Sequence, residues 1–188
     1  MTQDRASKIT IHEYALGMNS PIVHKVHDLM AQAWGFKTAV KSNPAAVPVT
    51  LEKTHLSLFE SNVSGYMVSE KSEGERYQLV LGTIDGRGFS VMVNRKMQMF
   101  EVSLYANSKY FKGSVFDGEV VLEKVGSASQ ERQVYLVFDV ISCKGETRLN
   151  EPFIERYNEY TKIFDLNGKD LLHSEISKWD QFCLLYTS

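Results

Sequence analysis

The sequence predicts an α+β domain in which helices flank an antiparallel, strand-rich sheet. Three observations lead there. Hydrophobic residues recur at helical spacing near residues 20–35, and the period then shortens to two from residue 65 onward. Asp-Gly and other tight-turn signals separate the later apolar runs, as a meander requires. A second helical pattern then returns at residues 152–164, so helices and strands are segregated rather than alternating.

The 188 residues suffice for one domain with a sizeable core. At 43% hydrophobic and 23% charged residues the chain has the composition of a globular protein. A net charge of −2 argues against a sequence-independent coat for nucleic acid, while leaving room for a local basic groove. Cys143 and Cys183 are far apart and lack metal-ligand spacing, so both are expected to be reduced thiols. The opening MTQDRASKIT carries no apolar targeting run, and no stretch has the length of a membrane span. An intracellular protein without a membrane partner is expected.

Residues 1–19 have little periodicity. In SPIVHKVHDLMAQAWGF, Ser20 offers an N-cap, Pro21 a first helical residue and Gly35 a stop. Ile22, Val26, Leu29, Met30 and Ala33 form its apolar stripe. The prolines of KSNPAAVPV make an extended connector. A short helix is expected over 50–60, with Leu51, Leu58 and Phe59 inward. GYMVSE and RYQLVLG read as strands, IDGRG as a hairpin turn and FSVMVN as the returning strand. RKMQ is a second tight connection, followed by the strand MFEVSLY. SVFDGEVVLEK is a strand interrupted by Asp-Gly, GSASQER a loop, and QVYLVFDVIS the most apolar strand. Phe153, Tyr157, Tyr160 and Phe164 share one face of the helix over 152–164. A further helix is expected at SEISKWDQF. The ending DQFCLLYTS resembles appended library sequence, and the natural chain is expected to continue beyond it. His24 and His27 read as surface or half-buried side chains, and Met92, Met97 and Met99 as core filler. No residues are assigned to a metal.

KSEGER carries the first chemical signal. An ammonium is no nucleophile, so Lys71 could attack only as a free amine, favoured by nearby cations such as Arg76, Arg95 and Lys96. Gly74 would permit close approach of backbone or ligand. By itself the stretch favours the plainer reading, a charged surface turn. FDGEVVLE is the second signal, because Asp117, Gly118 and Glu119 are disfavoured inside an apolar strand. Either a bulge or a carboxylate aimed at a sugar hydroxyl or metal explains them. The third is YLVFDV, where Phe138 could stack on a purine or could simply be core.

In this order, KSEGER, SVFDGEVV and YLVFDV resemble motifs of the lysine nucleotidyltransferase superfamily, which contains mRNA capping guanylyltransferases and polynucleotide ligases. The GTP-dependent capping branch is the better match. PVTLEKTHLSLFESNVSGYMVSEK is similar to its approach to the nucleophile, NRKMQMFEV to its arginine-bearing strand, and CKGETRLNEPFIERYNEY to the segment after the aromatic strand. The resemblance covers about residues 48–164. It implies the catalytic-domain fold shared by DNA ligases and capping enzymes, with residues 1–47 as a lead-in carrying one amphipathic helix. Residues 48–188 would be the N-terminal part of the nucleotidyltransferase domain.

The resemblance also implies roles. Lys71 would attack the α-phosphate of GTP to give lysyl-GMP. Arg76 and Glu119 would bind the ribose, with Asp117 beside them; Arg95 would contact phosphate and Phe138 would stack on guanine. GTP with a divalent cation, Mg or Mn, would serve the reaction, and the 5′-diphosphate end of RNA would accept the GMP. An RNA triphosphatase and a cap methyltransferase are the implied partners, in cis or in trans. The location would be the nucleus for a cellular source, or host cytoplasm or virion for a viral one.

Two departures stand out. Glu73 occupies a position where the family usually has aspartate, which lengthens that side chain by one methylene. Nothing after Phe164 resembles the later family motifs or the oligonucleotide-binding-fold domain, so weak or no guanylylation is expected from this chain alone. An ATP-dependent DNA or RNA ligase, and an inactive relative that binds RNA or a partner, are the alternatives.

Overall fold

A computed structural model describes residues 15–47, 49–62, 65–67, 71–104, 106–125, 130–163 and 183–186. Its first element is helix α1 (Pro21–Ala33). Ser20 has extended geometry ahead of Pro21, but its side chain makes no capping bond. The helix ends as glycine predicts. Gly35 adopts φ +71°, its N–H reaches the Gln32 carbonyl at 3.2 Å, and the Phe36 N–H reaches Ala31 at 2.8 Å. Val23, Val26, Met30, Ala31 and Ala33 are the buried face, with Ile22 and Leu29 half-buried beside them.

The meander follows. Strands β1 (Glu75–Ile84) and β2 (Arg87–Asn94) join through Asp85 and Gly86, both at positive φ, the two-residue turn that Asp-Gly favours. Strand β3 (Met99–Glu101) edges β2. On the other side β1 pairs with β4 (Ser114–Val125), β4 with β5 (Gln130–Cys143), and β5 with β6 (Glu146–Thr147). The order β3-β2-β1-β4-β5-β6 is antiparallel throughout, and β7 (Cys183–Tyr186) pairs with β5 in parallel. Helix α3 (Phe153–Ile163) completes an α+β domain.

Every residue of β1 from Tyr77 to Gly82 is buried, because both faces of the sheet are covered. Tyr77, Leu79 and Leu81 join Phe116, Tyr135 and the α3 residues Tyr160 and Ile163 in one core. Val80 joins Val91, Val115 and the α1 residues Val26 and Met30 in the other. Two-sided cover explains why QLVLG shows no polar alternation. Met92 and Met99 are core residues of the two clusters respectively, and Met97 packs against the one that holds Met99. His24 is exposed, whereas His27 is half-buried with Nδ1 3.0 Å from the Val40 carbonyl oxygen. Cys143 is a buried thiol without a disulfide, and burial pushes it up to about 12.

Several expected elements change. The helix over 50–60 is a 3-10 turn (Lys53–His55) followed by a short α2 (Leu56–Ser61). Leu51 and Leu58 are exposed rather than inward, because none of the described residues covers them. Gly65–Met67 lie outside any strand: Tyr66 turns back onto Phe59, ring centroids 4.3 Å apart, instead of joining the sheet. The strand expected over 99–105 pairs only through Glu101, with one further bond from the Val102 N–H to Ser90. Gln130, Glu131 and Arg132 extend β5 instead of the preceding loop. Residues 68–70, Phe164 and the helix expected at 174–182 lie outside the described residues.

Candidate functional site

The three signals separated by sequence meet where β1 begins. Lys71, Ser72 and Glu73 precede β1, and Lys71 and Glu73 are exposed. Gly74 then lies against β4 so closely that a Cβ would collide with the Val120 carbonyl oxygen. Its N–H donates to Glu119 Oε1 at 2.8 Å. The glycine is therefore required by contact rather than by its torsions. Gly74→Ala should push the Lys71 stretch off β4 and lower any reaction at Lys71 by roughly 100-fold, the scale of an ångström-sized misplacement. A labelling rate equal to wild type in a folded variant would refute this.

Two residues on, Arg76 faces Glu119 in the register of β1 and β4. Its guanidinium grips Asp117 with two bonds, Nε to Oδ1 at 3.0 Å and Nη2 to Oδ2 at 2.5 Å. Nη1 donates to the Ala46 carbonyl at 2.6 Å, which ties the proline-bounded connector to the same point. The guanidinium also lies over the Phe138 ring, 5.4 Å from its centroid. Burial pushes the Asp117 carboxyl above its ordinary range, against the pull of Arg76. The Asp117 bond in turn raises Arg76 further. Asp117 is only 3% exposed, so this is a largely dehydrated ion pair.

Asp-Gly in the middle of β4 marks an irregularity in its pairing with β5. Asp117 faces Asp139, yet Gly118 faces Val137, so Phe138 is an extra residue on β5. Gly118 must lack a side chain, because a Cβ would stand 2.5 Å from the Leu136 carbonyl oxygen and 2.7 Å from the Tyr135 ring. The buried Tyr135 hydroxyl donates to the carbonyl of Tyr77 at 2.9 Å, bracing β5 against β1 beneath the irregularity. The strand expected over QVYLVFDVIS is therefore not regular at Phe138. The strand bulges there and continues to Cys143. Bulging turns Phe138 toward Arg76, where it is half-buried.

Of the six predicted site residues, the structure joins Arg76, Asp117 and Phe138 directly and fastens Glu119 to Gly74. Lys71 leads into this cluster along the chain. Arg95 is exposed in the turn after Asn94, and Asn94 pairs with Tyr77, which puts Arg95 at the same end of the sheet. A groove of about 620 Å³ lined by His24, His27, Val40, Lys96 and Met97 contains none of the six. Sequence reasoning missed the Ala46 carbonyl, which has no side-chain signature. It also missed Arg156, one of several charged residues on a helix that was read only for its aromatic spacing.

Among the described residues, no three His, Cys, Asp or Glu side chains converge as metal ligands. Both Asp117 oxygens face Arg76, and Glu119 Oε1 takes the Gly74 N–H. The described residues therefore form no cage for a divalent cation. Compared with known families, residues 13–185 match the family described as mRNA capping enzyme, catalytic domain.

Proposed function

Because the chain belongs to the mRNA capping enzyme catalytic-domain family, a family of nucleotidyltransferases, we propose that it moves GMP from GTP through Lys71 to the 5′-diphosphate end of RNA. The observation that carries this reading is the docking of KSEGER on β4, through the bonds of Gly74 to Glu119 and Arg76 to Asp117. In the proposed reaction Lys71 Nζ, as a free amine, attacks the α-phosphorus of GTP. A nitrogen–phosphorus bond forms as the bond to the β-phosphate oxygen breaks, and pyrophosphate leaves. The amine proton passes to solvent. A terminal phosphate oxygen of the RNA then attacks the same phosphorus, the nitrogen–phosphorus bond breaks, and Lys71 leaves as the amine after taking a proton from solvent.

Glu119 keeps one oxygen for a ribose hydroxyl beyond its bond to Gly74. Arg76 retains two N–H groups beyond its three bonds and sits beside the Phe138 ring, the proposed platform for guanine. Arg95, exposed at the same end of the sheet, is assigned to phosphate. A divalent cation accompanying GTP would take its ligands chiefly from phosphate and water, and no step here is routed through it. RNA triphosphatase and cap methyltransferase activities, in cis or in trans, would complete the cap. The proposed setting is the nucleus for a cellular source, or host cytoplasm or virion for a viral one.

The experiment is incubation with α-labelled GTP or ATP, a magnesium or manganese salt and the protein, followed by a denaturing gel. Weak acid-labile, alkali-stable label from GTP alone is the expected result. Label from ATP alone would instead identify a ligase-type specificity, and no label from either would overturn the reading.

A further inference from the structure

Asp139 and Arg156 have no part in the roles assigned above, yet they form the second half of a four-charge row. The row runs from Arg76 on β1 to Asp117 on β4, Asp139 on β5 and Arg156 on α3. Asp117 and Asp139 are register partners, so two carboxylates face each other between neighbouring strands. Each is held by its own arginine. Arg156 Nε and Nη2 donate to Asp139 Oδ1 and Oδ2 at 2.8 and 2.9 Å. Both members are largely buried, Arg156 at 15% and Asp139 at 19% exposure.

The outer pair also holds the bulge. Asp139 Oδ1 accepts the Val140 N–H at 2.8 Å, taking up a backbone donor beside the irregular pairing. Arg156 Nη1 donates to the Glu151 carbonyl at 2.6 Å, and its guanidinium lies 5.5 Å from the Phe153 ring centroid. Asp139 is thereby fixed to the start of α3. Since Phe138 is the extra residue, whatever fixes Asp139 also fixes the direction of that ring.

We propose that Asp139 and Arg156 are positioning residues of the nucleotide site, aiming Phe138 through the bulge and keeping Arg76 on Asp117 by balancing the second carboxylate. This rests on the functional reading above. Without Arg156, the row would hold two carboxylates and one arginine. Arg76 would then be drawn between Asp117 and Asp139 and away from its place at the Phe138 ring. Removing both outer charges together would restore the balance.

The test is the dissociation constant of the full chain for guanosine α,β-methylene triphosphate, measured by calorimetry beside a thermal melt. Arg156→Gln is expected to weaken binding about tenfold, and the Asp139→Asn/Arg156→Gln double variant to recover to within about threefold of wild type. A purely structural pair would make the double variant at least as poor as the single one, and that result would overturn the proposal. Wild-type affinity in Arg156→Gln would do the same. If Arg156→Gln does not fold, Arg156→Lys takes its place, with about a threefold loss expected and no loss counting against the proposal. Failure of the wild-type protein to bind the analogue would instead remove the functional reading, and this inference with it.

Discussion

Lys71→Ala should leave no covalent GMP on the protein while the melting curve stays where it was. Lys71 is exposed and precedes β1, so its side chain adds nothing to either core. The proposed intermediate, by contrast, is a bond to its nitrogen, and no neighbouring group can substitute for that atom. The loss should exceed about a thousandfold, the gel background setting the limit, as expected when a covalent nucleophile is removed. Lys71→Arg should be equally inactive, because a guanidinium stays protonated at any working pH. Binding of the methylene analogue should fall far less than labelling does. Label retained by Lys71→Ala would move the nucleophile elsewhere and dismantle the assignment.

Asp117→Ala should show the largest stability loss. The substitution leaves the Arg76 guanidinium, itself only 15% exposed, without its carboxylate. Breaking such a pair from one side costs roughly 3 kcal/mol, the lower end of the range for buried pairs because Arg76 keeps some contact with water. For a chain of this size that is about 6–12 °C in melting temperature. Arg76 retains its bond to Ala46, so the connector stays attached while the side-chain bridge from Arg76 to β4 is lost. Asp117→Asn should be milder, since an amide oxygen still accepts one of the two guanidinium bonds. An unchanged melting temperature for Asp117→Ala would show that the pair contributes little, and GTP labelling measured well below the melting point would then separate site geometry from stability.

Much of this architecture was legible before any coordinates. Asp85-Gly86 declared its hairpin because both residues must take positive φ, a local demand that Asp-Gly meets cheaply. Gly35 declared the end of α1 for the same reason. Helical spacing placed Tyr160 on the buried face of α3, although Phe153 of the same stripe is exposed, and the chain's membership of the capping-enzyme family was legible in three short motifs. The stretch over 50–67 misled because Leu51, Leu58 and Tyr66 are apolar enough for a core. Periodicity reports which residues can be buried together, not whether another element arrives to bury them.

The chain by itself determined where backbone geometry is local: turns, helix ends, and the alternation or apolar runs that make strands. It also determined which groups could do chemistry, since Lys71, Arg76, Asp117, Glu119 and Phe138 stand in recognisable order. Only the tertiary structure decided what these groups do to one another. Gly74 is needed because β4 passes against it, and Phe138 turns toward Arg76 because β5 carries an extra residue against β4 at that point. Asp139 is balanced by an arginine 17 residues away on another element. Contacts between distant segments depend on register and packing, which no short window of sequence encodes.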